Sequence, residues 1–312
     1  MDQRPVIVGS QNAAAFLPLG MDLLRAGGTA LDAVERVIRE VESDPAEHSV
    51  GVGGWPNLAG EVELDASIMD GRDRRGGAVG AVRGFAHPIS IARKVMELTQ
   101  HVFLAGRGAE DFAREAGFAE EEPLTPEAAR AWEQRLRAKV PADELPRLLA
   151  RRTMLPYVLL ASDPQRTHGT VNVLALDERG DLASGVSTSG WAWKYPGRLG
   201  DSPVIGAGAY CDNRFGAAAC TGHGELAIRA SLARSIVLHL EYGAGLAAAC
   251  ARGLRDVPRP DTPVGGVLVV VAMDRHGGHC CLSNAASSWG YAFQTATMAA
   301  AEVRAPSRVE PA

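Results

Sequence analysis

The chain has 312 residues, enough to bury a large core in one or two domains. Hydrophobic residues make up 46% and charged residues 22%, which is typical of a globular protein in water. The net charge of −5 does not favour a nucleic acid or an anionic membrane as a partner, and no apolar run approaches the roughly 20 residues of a membrane-spanning helix.

The five cysteines are odd in number and two of them are adjacent, which argues against a disulfide framework. We therefore expect a reducing compartment, the cytoplasm. Met1–Arg4 leads directly into a short apolar run without the features of a signal peptide, so none is expected.

Periodicity and capping signals predict alternating helices and strands in the first half of the chain. Thr29 and Asp32 form the start signal of a helix that ends at Asp44-Pro45. Apolar and polar residues alternate over 62–68, which is typical of a half-buried strand, and the glycine-rich residues 49–60 predict tight turns. The other expected elements are strands over 5–8 and 77–82, and helices over 12–25, 89–98, 109–116, 126–139 and 142–151.

Ahead of the second half, Arg151, Arg152 and the polar residues 163–167 predict an exposed lead-in to a buried strand. Strands are expected over 170–176, 182–188, 204–211 and 216–220, a long helix over 224–242, a helix over 244–254, and a hairpin of 265–273 with 279–283. No internal repeat is present. Strands flanked by helices in both halves fit two stacked sheets covered by helices.

Four short motifs in the second half carry hydroxyl or charged side chains at turn-rich points. They are His168-Gly169-Thr170-Val171-Asn172, Ser187-Thr188-Ser189-Gly190, Gly197-Arg198-Leu199-Gly200-Asp201-Ser202-Pro203 and Cys220-Thr221-Gly222-His223-Gly224. In this order they resemble the N-terminal-nucleophile (Ntn) amidohydrolases of the glycosylasparaginase and isoaspartyl peptidase/asparaginase family. Ala26–Glu35 and Leu64–Gly71 resemble the same family ahead of these motifs.

The resemblance implies an α+β fold, the αββα four-layer sandwich of Ntn hydrolases, as a single domain over 1–312. It also implies self-cleavage between Gly169 and Thr170 into an alpha subunit, 1–169, and a beta subunit, 170–312. A homodimer of alpha-beta units, which is a heterotetramer of chains, is expected by the same analogy, with no cofactor and no metal.

Thr170 is the expected nucleophile. A threonine hydroxyl reacts poorly unless a base lies beside it, and an N-terminal threonine carries its own base, an α-amine with a pKa of about 7.7–8.0. That amine exists only after the Gly169–Thr170 bond is cut. Without its neighbours Thr170 would be read as an ordinary strand residue.

The other motifs suggest the rest of a catalytic site. By resemblance, Thr188 tunes the nucleophile, although strand-end turn chemistry would also explain it. Arg198 and Asp201 would bind the carboxylate and the ammonium of a free amino-acid end, or would form a loop salt bridge of little energy. By resemblance, Thr221 and Gly222 would form an oxyanion hole, and the positive end of the following helix would point toward it. Alternatively, Thr221 would cap that helix.

Several side chains allow two interpretations. Gln11 and Ser49 are expected at the substrate pocket by resemblance, and the glycosylasparaginase branch typically has Trp where this chain has Gln11. Trp55, Trp191 and Trp193 would stack on a sugar or belong to the core or an interface. The spacing of His276, His279, Cys280 and Cys281 does not match common zinc motifs.

These observations predict a hydrolase that cleaves the side-chain amide of a small asparagine derivative, N4-(β-N-acetylglucosaminyl)-L-asparagine being the preferred substrate. The alternative within this class is an L-asparaginase or β-aspartyl (isoaspartyl) peptidase. The alternative from another class is an uncleaved, inactive homologue that binds amino acids.

Overall fold

Two β-sheets form the centre of the structure, a computed structural model that describes residues 4–151, 154–158, 169–258 and 266–309. The larger sheet has the order β12-β11-β1-β5-β6-β2-β3-β4 and the smaller one the order β13-β10-β9-β8-β7. The larger sheet contains β1 (Val6–Ser10), β2 (Leu64–Asp70), β3 (Gly76–Val82), β4 (Phe103–Ala105), β5 (Val171–Leu176), β6 (Leu182–Thr188), β11 (Tyr291–Thr295) and β12 (Glu302–Arg304). The smaller sheet contains β7 (Ala209–Asp212), β8 (Gly216–Gly222), β9 (Leu268–Asp274), β10 (His279–Ser283) and β13 (Ser307–Arg308).

Along the chain, the helices of the described residues lie between these strands. They are α1 (Leu17–Arg25), α2 (Ala30–Glu42), α3 (Pro88–Leu98), α4 (Gly106–Glu115), α5 (Pro126–Lys139), α6 (Leu145–Leu149), α7 (Gly224–Ala230), α8 (Leu232–Glu241) and α9 (Leu246–Arg255). Single 3-10 turns occupy Gln11–Ala13 and Leu155–Tyr157. Among the described residues, no helix has the length and apolar character needed to cross a membrane.

The described residues form four hydrophobic clusters, three of which involve the two sheets. The first joins α1, α2 and α3 to one face of the larger sheet. The second fills the space between the two sheets, where Leu174 and Val186 meet Ala219 and Val271. The third joins the other face of the smaller sheet to α8 and α9. The expected mixture of two sheets and helices is thus confirmed.

Helix α2 begins where the sequence predicts. Thr29 precedes its first residue and accepts a hydrogen bond from the Asp32 backbone N–H at 3.0 Å, while its hydroxyl donates to the Asp32 carboxylate at 2.6 Å. This satisfies one of the N–H groups that a helix start leaves without a partner. The apolar stripe that includes Val34, Val37 and Ile38 is fully buried against the larger sheet.

The expected half-burial of 62–68 is wrong. Every residue of β2 is buried, including Asp65 and Ser67. The strand lies between β3 and β6, with α3 against one face and β7 of the smaller sheet against the other. The alternation of apolar and polar residues thus gives β2 an apolar face and a polar face, and both faces are covered by other elements.

Three boundaries also differ from expectation. The helix predicted from residue 12 begins at Leu17, because a 3-10 turn follows β1. The long helix predicted over 224–242 is broken at Ser231, which has a left-handed conformation with φ 47°. The strand predicted from 204 begins at Ala209, and strands β11–β13 were not predicted.

Most of the predicted lead-in to Thr170, including residues 152–153 and 159–168, lies outside the described residues. His168 is among these.

Candidate active site

Strand pairing places Thr188 beside Thr170. Val171 of β5 pairs with Ser187 of β6, so the preceding Thr170 lies next to Thr188. The Thr188 Oγ1 lies 3.0 Å from the Gly169 carbonyl oxygen and 3.3 Å from the Ser49 carbonyl oxygen, and it accepts the Gly190 N–H at 2.9 Å. Thr188 can therefore donate its one proton to the carbonyl of the bond that precedes Thr170.

Thr221 comes to the site from the smaller sheet and is held there by Asn172. Thr221 lies in β8 opposite Val269, whereas Asn172 lies in β5, two residues after Thr170. The fully buried Asn172 donates from Nδ2 to Thr221 Oγ1 at 2.8 Å. Because that oxygen accepts a hydrogen bond from Asn172, the Thr221 hydroxyl keeps its own proton for donation to another acceptor.

Gly222 has a backbone conformation that only glycine adopts without strain. Its φ is 126°, and a Cβ at this position would lie 2.2 Å from the Val267 carbonyl oxygen. The expected long helix behind it is absent, because α7 has only seven residues. An oxyanion hole at this position would therefore depend on hydrogen bonds from Thr221 and Gly222, without the dipole of a long helix.

Arg198 is already bound to an acidic side chain that the sequence did not indicate. Its Nε and Nη2 donate to the two carboxylate oxygens of Glu225 at 2.9 and 2.8 Å, and its guanidinium lies 4.5 Å from the Trp191 ring centre. Burial alone would raise the pKa of Glu225, but the hydrogen bonds and charge of Arg198 outweigh burial and lower it. This pair fixes the guanidinium and leaves Nη1 on the side of Gly190 and Gly200.

Asp201 is a buried acid whose charge is poorly compensated. Burial raises the pKa of its carboxyl from 3.8 to about 7, although the charge of Arg198 acts in the opposite direction. Within the described residues its Oδ2 is buried without a hydrogen-bond partner. An ammonium group beside this carboxyl would stabilise the ionised form.

The loop that carries Arg198 and Asp201 is braced by a buried ammonium. Lys194 has a side chain only 1% exposed; its Nζ lies 3.8 Å from the Asp65 carboxylate and donates to the Glu63 carbonyl at 3.1 Å. The Glu63 carboxylate in turn accepts the Gly197 N–H at 3.0 Å. No local sequence signal marked this long-range contact.

Thr170 and Gly169 separate two cavities. The larger has a volume of about 370 Å³ and includes the predicted pocket residues Gln11 and Ser49. The smaller, of about 10 Å³, is lined by Thr188, Arg198, Asp201 and Gly222 among others. As long as the chain is continuous at Gly169, the smaller cavity has room for little more than a water molecule.

Glu47 and Trp289 are among the residues lining the larger cavity that the sequence did not indicate. Gln11 is fixed at its edge, because its backbone N–H and its Oε1 bond the Gly290 carbonyl and N–H at 3.1 and 2.9 Å. None of the three tryptophans considered from the sequence lines this cavity. Trp55 and Trp193 instead stack on each other in a separate hydrophobic cluster.

Metal ligands are not assembled in the described part of the chain, where no group of three or more His, Cys, Asp or Glu side chains is placed to hold an ion.

Comparison with known proteins gives the family. A family model described as asparaginase matches residues 3–302. This chain belongs to that family. It is 40% identical over 261 residues to rat isoaspartyl peptidase/L-asparaginase, covering 84% of this chain and 74% of the relative.

Two bacterial relatives show the range of names within the family. Over 255 residues the chain is 38% identical to an N(4)-(β-N-acetylglucosaminyl)-L-asparaginase of Elizabethkingia miricola, covering 81% of this chain and 69% of the relative. Over 292 residues it is 37% identical to an isoaspartyl peptidase of Salmonella typhimurium, covering 92% and 89%. The resemblance to Ntn amidohydrolases is thus confirmed, and the protein is an amide hydrolase.

Proposed function

We propose that the protein is a self-processing amidohydrolase whose nucleophile is Thr170, freed as the N-terminus of a beta subunit, 170–312. The observation that carries this proposal is the position of Thr170 at the junction of the two cavities. There the hydroxyls of Thr188 and Thr221 converge from different strands.

Processing begins at the Gly169 carbonyl. The Thr170 Oγ attacks that carbon and the peptide nitrogen leaves as the new α-amine, which converts the peptide bond into an ester. The Thr188 hydroxyl, 3.0 Å from the Gly169 carbonyl oxygen, stabilises the charge that develops there. Water then hydrolyses the ester and releases the alpha subunit, 1–169.

The mature site uses the same hydroxyl on a substrate amide. The α-amine of Thr170 takes the hydroxyl proton as Oγ attacks the amide carbon, and the proton passes to the departing amine. Thr221 and Gly222 donate hydrogen bonds to the tetrahedral oxyanion, with Asn172 orienting the Thr221 hydroxyl. Water releases aspartate from the acyl-enzyme.

The substrate's amino-acid end binds between Arg198 Nη1 and Asp201, where the loss of the Gly169 end enlarges the smaller cavity. The leaving amine then lies in the larger cavity. We favour N4-(β-N-acetylglucosaminyl)-L-asparagine, because a cavity of 370 Å³ is far larger than ammonia requires. L-asparagine and β-aspartyl peptides are the alternative substrates.

The order of the three hydrophobic clusters supports an αββα four-layer sandwich as the fold, with one domain over the whole chain. A homodimer of alpha-beta units follows from the family resemblance. The cysteines are all free thiols, which supports a reducing compartment such as the cytoplasm.

Mass spectrometry of the purified protein tests the proposal, with fragments 1–169 and 170–312 as the expected products. Thr170→Ala should stay uncut and inactive, whereas Thr170→Ser should retain part of both reactions because it keeps a hydroxyl. Activity is measured on glycosylated asparagine, asparagine and a β-aspartyl peptide. An active protein with a dominant cut elsewhere would refute the assignment of Thr170.

A further inference from the structure

We propose that the larger cavity selects the leaving group by charge. Glu47 disfavours an amine that carries a carboxylate and favours an uncharged or cationic amine. This inference rests on the proposed function, because it takes the amino-acid end of the substrate to lie on the side of Arg198 and Asp201.

One acidic side chain lines the larger cavity. Of the described residues in the lining, Glu47 is the only one with an acidic or basic side chain; the others include Ser10, Asn12, Ser288 and Trp289. Among the described residues, no arginine or lysine belongs to the lining. The α-amine that processing frees at Thr170 acts as a neutral base in the proposed reaction, so a carboxylate entering this cavity would meet the acidic side chain of Glu47 without a lysine or arginine of the described lining beside it.

Glu47 is held in place by Ser49. The Ser49 backbone N–H donates to Glu47 Oε1 at 3.1 Å, and the Ser49 hydroxyl donates to the same oxygen. Within the described residues, Glu47 forms no ion pair, and it is half-buried. The neighbouring His48 faces Glu127 instead, at 3.8 Å. The carboxylate is thus held by Ser49, partly shielded from water and without an ion-pair partner among the described residues.

This carboxylate is also close to the reacting bond. A Cβ on Gly169 would lie 2.0 Å from Ser49 Oγ and 3.6 Å from Glu47 Oε1. Glu47 and Thr170 also line the same larger cavity, so a leaving group bound there lies near the Glu47 carboxyl group. Two like charges about 6 Å apart at a partly buried site change binding by roughly tenfold or more.

The candidate leaving groups differ in this charge. The amine released from a β-aspartyl dipeptide carries its carboxylate on the carbon next to the leaving nitrogen. A glycosylamine has no such charge, and its hydroxyls can bond to Ser10, Asn12 and Ser288 while its apolar face contacts Trp289. The cavity therefore fits a neutral, hydroxyl-rich amine such as a glycosylamine better than a free amino acid.

A matched substrate pair tests the charge alone. We would measure kcat/KM of the processed enzyme for β-aspartylalanine and for β-aspartylalaninamide, which differ in the carboxylate. In the wild type, the ratio of kcat/KM for the amide to kcat/KM for the acid should be about tenfold higher than in Glu47→Gln, because the variant removes the repulsion between Glu47 and the substrate carboxylate. Comparing ratios cancels the intrinsic difference in leaving-group reactivity. Glu127→Gln removes an equal charge outside the cavity and should leave the ratio unchanged.

A ratio that agrees within twofold between wild type and Glu47→Gln overturns the inference. If Glu47→Gln does not fold or process, the wild-type ratio is measured as ionic strength rises. It should fall because salt screens the repulsion, and a constant ratio overturns the inference equally. When glycosylated asparagine is hydrolysed but the charge effect is absent, only this inference fails. When no substrate of the panel is hydrolysed by a protein with a free Thr170, the proposed function fails as well.

Discussion

Replacing Asp201 with asparagine should stabilise the folded protein at alkaline pH while it weakens substrate binding. The buried carboxyl has its pKa raised from 3.8 to about 7. At pH values between these two pKa values, the Asp201 carboxyl is protonated in the native state but has already lost its proton in the unfolded chain. The free energy of unfolding therefore falls as pH rises through this window, and the full cost of burying the charge is present above pH 7.

The magnitude follows from the width of the window. A difference of about three pH units, at about 1.36 kcal/mol each, costs the native state on the order of 4 kcal/mol above pH 7. Asparagine cannot ionise and avoids this cost. It adds an amide group where Asp201 Oδ2 is buried without a partner in the described residues, a penalty of about 1–3 kcal/mol that does not depend on pH.

The assay is urea unfolding at pH values from 4 to 8.5, comparing Thr170→Ala alone with Thr170→Ala combined with Asp201→Asn. The Thr170→Ala background keeps the chain continuous and has no threonine α-amine to titrate in the same range. The difference in unfolding free energy should change in favour of Asp201→Asn by roughly 4 kcal/mol from low to high pH. A difference that stays constant over the whole range would refute the buried, uncompensated state of this acid.

Two further substitutions test the side chains that support the site. Asn172→Asp should lower kcat by roughly 10²–10³, as we also expect for Thr221→Val, because a carboxylate would accept the Thr221 hydrogen bond that the oxyanion needs. Steady-state kinetics measure this, and an unchanged kcat would dismiss Asn172 as a positioning residue. Lys194→Met should destabilise the protein by roughly 3–5 kcal/mol in urea unfolding, because Asp65 stays buried without its cation, whereas Lys194→Met with Asp65→Asn should recover much of the loss.

The secondary structure was predictable where a local pattern decides it. The cap at Thr29 and the apolar stripe of α2 depend on residues within one or two helical turns of each other. The break at Ser231 was not predictable, because a left-handed serine has no local signature and the helices on both sides bury leucine and alanine residues alike. The burial of Asp65 also depends on distant elements that cover both faces of β2.

The candidate site was predictable to the extent that its residues lie in short motifs. Thr170, Thr188 and Thr221 were predicted from such motifs, and strand pairing places the first two next to each other. The residues that orient the side chains of the candidate site are far from them in the sequence. Glu225 binds Arg198 from 27 residues away, and Asn172 donates a hydrogen bond to Thr221 from 49 residues away. No composition or periodicity reveals such pairs before strand order and register are known.

The distribution of charge on the two sides of Thr170 connects substrate orientation with leaving-group selectivity. The smaller cavity offers both a cation, Arg198, and an acid, Asp201, so it suits a zwitterionic amino-acid end. Among its described lining residues, the larger cavity offers one charged-type side chain, the acid Glu47. The same zwitterion bound in reverse would therefore place its carboxylate near Glu47, which would repel it. Asparagine has the zwitterionic end that suits the smaller cavity, but its leaving group, ammonia, leaves the larger cavity without contacts. The asparagine conjugate of a neutral glycosylamine has this zwitterionic end and also an uncharged leaving group that fills the larger cavity. It should therefore have the highest kcat/KM in the substrate panel.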